Sequence, residues 1–237
     1  MNTFTIWLPY FICLLIVTLY IVALKKKLWK AKNLISGLVT GFLVLGASVI
    51  VVLLVGRATI VDATPTPGWE IEARKTKVAI LFGFGYEEDN EGNMLPGAAN
   101  LAIYQQAMAD ANYQYLIMQE GVMSAARDDS VHAKIQMHPL SKYYVNTFEA
   151  ALYAIRKMDS LKVKKAVVYA HNQQLARAVY ILKGIAASNP RWQDMEFIIP
   201  YIPPTPYPCH SVQPHTRCEL IYLPIELFIS RPRDYLK

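Results

Sequence analysis

Charge is missing from two long stretches of this chain. Residues 1–24 contain no Asp, Glu, Lys or Arg, and residues 33–56 contain none either. A soluble amphipathic helix needs a polar face, and neither run has one, because Leu, Ile and Val occur all round both. Each run is long enough to cross a hydrocarbon core as a helix, which takes about 20 residues. A cleaved secretion signal fits poorly, since no positive charge precedes the first run and no convincing small-residue cleavage site closes it. Cysteine is scarce, at three in 237 residues. Missing too are a G-x-G-x-x-G fingerprint, any internal repeat, and an Arg/Lys stripe interleaved with aromatics. The last absence argues against nucleic acid as a partner, although the net charge is +6.

What stands between the two runs is the lysine cluster K-K-K-L-W-K-A-K, with Lys25, Lys26, Lys27, Lys30 and Lys32. Short lysine-rich loops stay on the cytoplasmic side of a membrane. Residues 1–57 therefore read as a transmembrane hairpin, with spans at about 4–24 and 34–56, and the lipid bilayer as partner. Everything after Arg57 is expected to face away from the cytoplasm, in spite of Arg57, Arg74, Lys75 and Lys77. Residues 58–76 read as an extended linker broken by Pro65, Pro67 and Gly68. Trp69 sits either at the membrane interface or against the domain that follows.

Cys13 lies in the first run and reads as an apolar packing residue. Cys209 and Cys218 fall on the outward side, where a disulfide is permitted. Closing that loop is worth about 2.5–3 kcal/mol in the chain-entropy model. Two unpaired thiols are the alternative. A zinc site with His210 and His215 is a poorer one, because the spacing matches no usual ligand pattern. No metal is assigned.

Residues 77–237 alternate between strand-like and helix-like segments. K-V-A-I-L-F-G-F, Y-Q-Y-L-I-M-Q, K-I-Q-M-H, K-A-V-V-Y-A, E-F-I-I-P-Y-I and C-E-L-I-Y-L read as strands. Helices are expected from Pro96, from the N-cap Asn146 with Glu149 completing a capping box, and over Q-L-A-R-A-V-Y-I-L-K-G-I, closed near Gly184. This alternation implies an α/β fold, a mostly parallel Rossmann-like sheet with helices on both faces. Ligands of such sheets bind beyond the carboxyl ends of the strands. The loops 83–95, 119–130 and 170–174 are therefore the functional candidates.

Each loop has a chemical reading and a structural one. Gly83 and Gly85 would let backbone N–H groups approach a phosphate, but Glu87, Glu88, Asp89 and Glu91 follow. Those carboxylates hold a hard cation or, as the favoured reading, form a solvated acidic turn. Glu120 directly follows a strand, as an acid/base group or as the partner of Arg127. Asn146, Thr147 and Glu149 are explained by helix capping alone. His171, Asn172, Gln173 and Gln174 are delivered to the mouth of the sheet. Arg177 lies one turn into a helix, where the dipole disfavours a cation unless it meets an anion. It is the strongest site signal.

The order of these pieces resembles the bacterial YdcF/SanA/ElyC-like family over roughly residues 77–229. N-T-F-E-A-A at 146–151 fits the family's N-T-x-E-N-A helix start. Q-L-A-R-A at 174–178 fits its H-x-x-R-A in part, and Gly83 and Gly85 match its Gly-rich turn loosely. Glu120 stands where the family has a glycine in S-G-G, and Gln174 where it has histidine, with His171 three residues earlier. The resemblance implies Gly83, Gly85, Asn146, Thr147, Glu149, Gln174 and Arg177 as ligand-binding residues, and Glu120 or His171 as the catalytic acid/base if there is chemistry. It implies a protein of the bacterial inner (cytoplasmic) membrane, with a periplasmic or exterior domain acting in cell-envelope and peptidoglycan-precursor metabolism. The expected ligand is a phosphorylated or lipid-linked envelope intermediate. Some family members are linked to S-adenosylmethionine, which an outward domain would meet little, so no cofactor is assigned. A non-catalytic binding or scaffolding protein with a degenerate site is the alternative.

Overall fold

In a computed structural model the described residues are 46–47, 50, 63–126, 133–137, 146–213, 216–217 and 222. The chain divides into two compact units, one of Asp62–Glu219 and one of Met1–Val61 with Leu220–Lys237. Apart from residues 46, 47 and 50, the two uncharged runs lie outside the described residues, as do Cys13, Cys218 and most of the strand expected at 218–223. Among the described residues no helix is long and apolar enough to cross a membrane.

The Asp62–Glu219 unit is an α/β fold. Its elements are α1 (Trp69–Lys75), β1 (Val78–Leu81), β2 (Glu87–Glu88), β3 (Met94–Leu95), α2 (Gly97–Asp110), β4 (Tyr115–Met118), α3 (Glu120–Met123) and a 3-10 turn (Ser124–Ala126). Then come β5 (Ala133–Gln136), α4 (Thr147–Ser160), β6 (Lys165–Tyr169), α5 (Asn172–Ala187) and β7 (Glu196–Ile198). Five strands form one sheet in the order β5-β4-β1-β6-β7, and every pairing in it is parallel. β1 is buried at all four positions, which is why it reads as an unbroken apolar run. From β1 the chain steps through β4 to β5 on one side, then crosses to β6 and β7 on the other. The switch point therefore lies between the carboxyl ends of β1 and β6.

Right-handed crossovers place α4 and α5 together on one face of the sheet. Ala150, Ala151 and Ala154 of α4 join Leu175, Ala178 and Leu182 of α5 there, over Ile80, Val168 and Phe197. Asn146 caps α4 as expected, its Oδ1 accepting from Glu149 N at 2.9 Å. α5 begins two residues before Gln174 and runs past Gly184 to Ala187. A β-carbon on Gly184 would meet nothing within 4 Å, so this glycine weakens the helix without ending it.

The opposite face carries α2 and a buried polar relay. Tyr113 Oη and Tyr169 Oη lie 2.7 Å apart, and Tyr169 Oη donates to Asp110 Oδ2 at 2.8 Å. Burial raises both phenols above their ordinary range, and it raises the Asp110 carboxyl too. Buried hydroxyls need such partners.

The stretch expected as an extended linker contributes to this unit. It contains α1, and Thr66 N donates to Ile199 O at 2.8 Å while Thr66 Oγ1 accepts from Ile199 N at 2.9 Å. Lys165 then ties Glu72 of α1 to Glu196 of β7, at 3.0 and 2.9 Å. The prolines and glycine at 65–68 do interrupt the chain, but they set it for a new helix start.

Candidate functional site

The glycine loop after β1 is held shut by side chains. Gly83 N donates to Gln119 Oε1 at 2.6 Å, and Phe84 N donates to Asn100 Oδ1 at 2.8 Å. Asn100 Nδ2 donates to Gly85 O, and Tyr86 N donates to Ser211 Oγ at 3.3 Å. Three backbone donors that a phosphate cradle would offer, those of Gly83, Phe84 and Tyr86, are thus already used within the protein. Gly85 has φ +68°, and a β-carbon there would lie 2.5 Å from Thr216 Oγ1 and 2.6 Å from Ser211 Oγ. Its glycine thus serves the close approach of Pro208, Ser211 and Thr216. Gly83 has no such need, because its nearest neighbour would be an ordinary 3.5 Å away.

The acidic stretch makes a hairpin, with β2 antiparallel to β3. Asp89 Oδ1 accepts from Glu91 N at 2.9 Å and Asn93 N at 2.8 Å, and its Oδ2 accepts from Asn93 Nδ2 at 2.9 Å. One carboxylate folds the tip, Glu88 and Glu91 are exposed and Glu87 is half-buried, so the tip fits the solvated-turn reading. Among the described residues no group of three His, Cys, Asp or Glu is placed to hold a metal.

Glu120 is exposed at the start of the four-residue α3, and Arg127 lies outside the described residues. Its neighbour Gly121 belongs to the clamp: a β-carbon there would come within 2.7 Å of Asn100 Nδ2.

His171 is wholly buried at the switch point. Its ring stacks on Phe84 at 3.8 Å between centroids and tilts against Tyr207 at 4.9 Å. Nδ1 accepts from Gln173 N at 3.4 Å, capping α5, while Nε2 lies 3.1 Å from Thr205 O, to which it donates as the other tautomer position. Burial pulls its pKa down to about 4, so the ring is neutral at pH 7. Both nitrogens are occupied by structure. In this geometry His171 is the buried N-cap of α5.

Residues 203–208, from the proline-rich stretch, strap this end of the sheet. Thr205 N donates to Asn172 Oδ1 at 3.3 Å, and Tyr207 Oη donates to Gln173 Oε1. Cys209, just beyond, is an exposed free thiol. The disulfide expectation is thus not realised at Cys209.

Five of the expected ligand-binding residues gather at the first turns of the neighbouring helices α4 and α5. Asn146 and Thr147 are the N-cap and N1 of α4, Glu149 is its N3, Gln174 is the N3 of α5, and Arg177 follows one turn on. Thr147 and Arg177 are each 7 % exposed and Gln174 6 %. Glu149 Oε2 and Gln174 Oε1 are buried and make no hydrogen bond. A buried acceptor left unmade costs about 1–3 kcal/mol, more when charged, so such atoms call for an explanation. The two unmade acceptors belong to the same pair of helix starts as the buried Arg177 guanidinium.

Asn100, Gln119, Ser211 and Tyr207 organise the mouth without having been singled out from sequence. Asn100 alone left a trace there: it lies in the buried stripe of α2 with Ala99, Ile103 and Ala107. No protein-family model, characterised protein or solved structure matches this chain.

Proposed function

We propose that the chain is a membrane-anchored α/β protein of the YdcF-like type, held by hairpin 1–57 in the bacterial inner membrane with its Asp62–Glu219 unit facing the periplasm or exterior. It acts in cell-envelope biogenesis by binding a phosphorylated or lipid-linked intermediate at the α4/α5 mouth. The supporting observation is the burial of Arg177 near the amino end of α5, at 7 % exposure. Its guanidinium is always charged and presents a fork of donors of the kind that binds phosphate groups, which suits an anionic ligand at this mouth. Glu120 is the remaining acid/base candidate, since His171 is engaged at both nitrogens.

The test is titration of the detergent-solubilised full chain with a polyprenyl phosphate and with glucose 1-phosphate. Arg177→Ala should lose binding of whichever ligand the wild type takes, with its circular dichroism unchanged. Equal binding by the variant would sink the assignment.

A non-catalytic scaffold is favoured by a different observation: the backbone donors of Gly83, Phe84 and Tyr86 are satisfied within the protein. That reading expects neither ligand to bind wild type or variant.

A further inference from the structure

Helices α4 and α5 share a feature that capping does not explain. Each carries at N3 a residue of the capping-box type, Glu149 in one and Gln174 in the other. In a capping box this side chain reaches back to the N-cap backbone N–H. Neither does so here. Asn146 and His171 each make the outward arm of the box, accepting from Glu149 N and Gln173 N respectively. The return arm is absent among the described residues, and Glu149 Oε2 and Gln174 Oε1 are instead buried without a hydrogen bond.

The two helices pack on the same face and begin at the same carboxyl edge of the sheet, with small residues, Ala150 and Ala178, in the shared core. Both orphaned atoms are acceptors, and they sit at equivalent positions in adjacent first turns. A bare anion cannot satisfy them, because it brings no donor. An ammonium group would bring donors and would suit the Glu149 carboxylate, but at Gln174 it would face Arg177, three residues on along the same helix face, and like charges there repel. Neutral hydroxyl groups meet both conditions.

We propose that Glu149 and Gln174 form the hydroxyl-binding half of the site, accepting O–H bonds from a sugar or polyol whose anionic group lies toward Arg177. This rests on the ligand reading above and narrows it: the ligand is a polyol phosphate rather than a simple phosphate. Neither residue is asked to do chemistry. Both discriminate by what they leave unpaired, since a ligand without hydroxyls leaves two buried acceptors unmade.

The experiment is calorimetric titration of the full chain in detergent with glucose 1-phosphate, inorganic phosphate and glucose, on wild type, Gln174→Met and Glu149→Gln. Wild type should prefer glucose 1-phosphate over inorganic phosphate by about tenfold or more, the worth of one good hydrogen bond to a charged group. Gln174→Met should erase most of that preference while changing inorganic phosphate affinity less than about twofold. The same variant should raise the ligand-free melting temperature, because it removes a buried unmade acceptor. Glu149→Gln, which keeps the shape, should weaken the sugar phosphate alone. A second arm uses nanodiscs containing phosphatidylinositol, and competition by that lipid marks a membrane-borne polyol phosphate rather than a free one.

Equal affinity of wild type for glucose 1-phosphate and inorganic phosphate would overturn the inference and leave the anion reading standing. Binding of glucose but not of either phosphate would keep Glu149 and Gln174 in this role and remove the anion reading. No binding in any arm, or a Gln174→Met variant with unchanged preference, overturns the inference.

Discussion

Asn100 is the residue whose loss should tell most about how this mouth is built. It is fully buried, and its amide satisfies two backbone groups of the glycine loop, the Phe84 N–H and the Gly85 carbonyl. Asn100→Ala strands both. At about 1–3 kcal/mol for each buried group left unmade, the loss sums to about 2–6 kcal/mol. That is a large share of the 5–15 kcal/mol that holds a typical domain. For a unit of this size each kcal/mol moves the melting temperature by about 2–4 °C. A central loss of about 3 kcal/mol therefore lowers it by about 6–12 °C.

The assay is thermal unfolding of the full chain in detergent, followed by near-ultraviolet circular dichroism. Asn100→Asp supplies the control for shape. Its carboxylate still accepts from Phe84 N–H but sets a second acceptor against Gly85 O, so it should be destabilised at pH 7. The fold raises the pKa of such a carboxyl, so its stabilising contribution is present below the unfolded value and is lost as pH rises through the folded one. Asn100→Asp should accordingly recover toward wild type as pH falls. If Asn100→Ala melted within about 2 °C of wild type, the loop would be finding partners elsewhere and the clamp would be wrong.

Two further outcomes follow from single residues. Burial depresses the His171 pKa to about 4, against about 6.5 unfolded, so its contribution is intact above pH 6.5 and is lost as pH falls toward 4. The loss amounts to about 3 kcal/mol, and melting curves at pH 7.5 and pH 4.5 should show a slope that His171→Asn largely lacks. Asp110, raised by burial, acts with the opposite sign and is common to both proteins, so it drops out of the comparison. Cys209 is an exposed thiol, so with Cys13 and Cys218 replaced by alanine a membrane-impermeant maleimide should label it in intact cells. Labelling only after lysis would invert the proposed orientation and return cytoplasmic nucleotides, S-adenosylmethionine among them, to the candidate ligands.

Sequence alone determined the elements whose causes are local. β1 announced itself as an unbroken apolar run, and the start of α4 followed from Asn146, whose capping bond spans three residues. The alternation of such segments already required a parallel sheet with its mouth at 83–95, 119–130 and 170–174. Tertiary structure decided what that mouth offers. The partners of the glycine loop come from 16, 36 and 125 residues away, at Asn100, Gln119 and Ser211. No pattern of neighbours signals that a backbone donor will be claimed at such a distance. The same closure buried His171 against Phe84 and Tyr207, turning a candidate base into a neutral cap. It also left Glu149 and Gln174 with acceptors to fill. Periodicity and capping act within a few residues and are written along the chain, whereas which polar groups remain unmade depends on what the folded chain brings beside them.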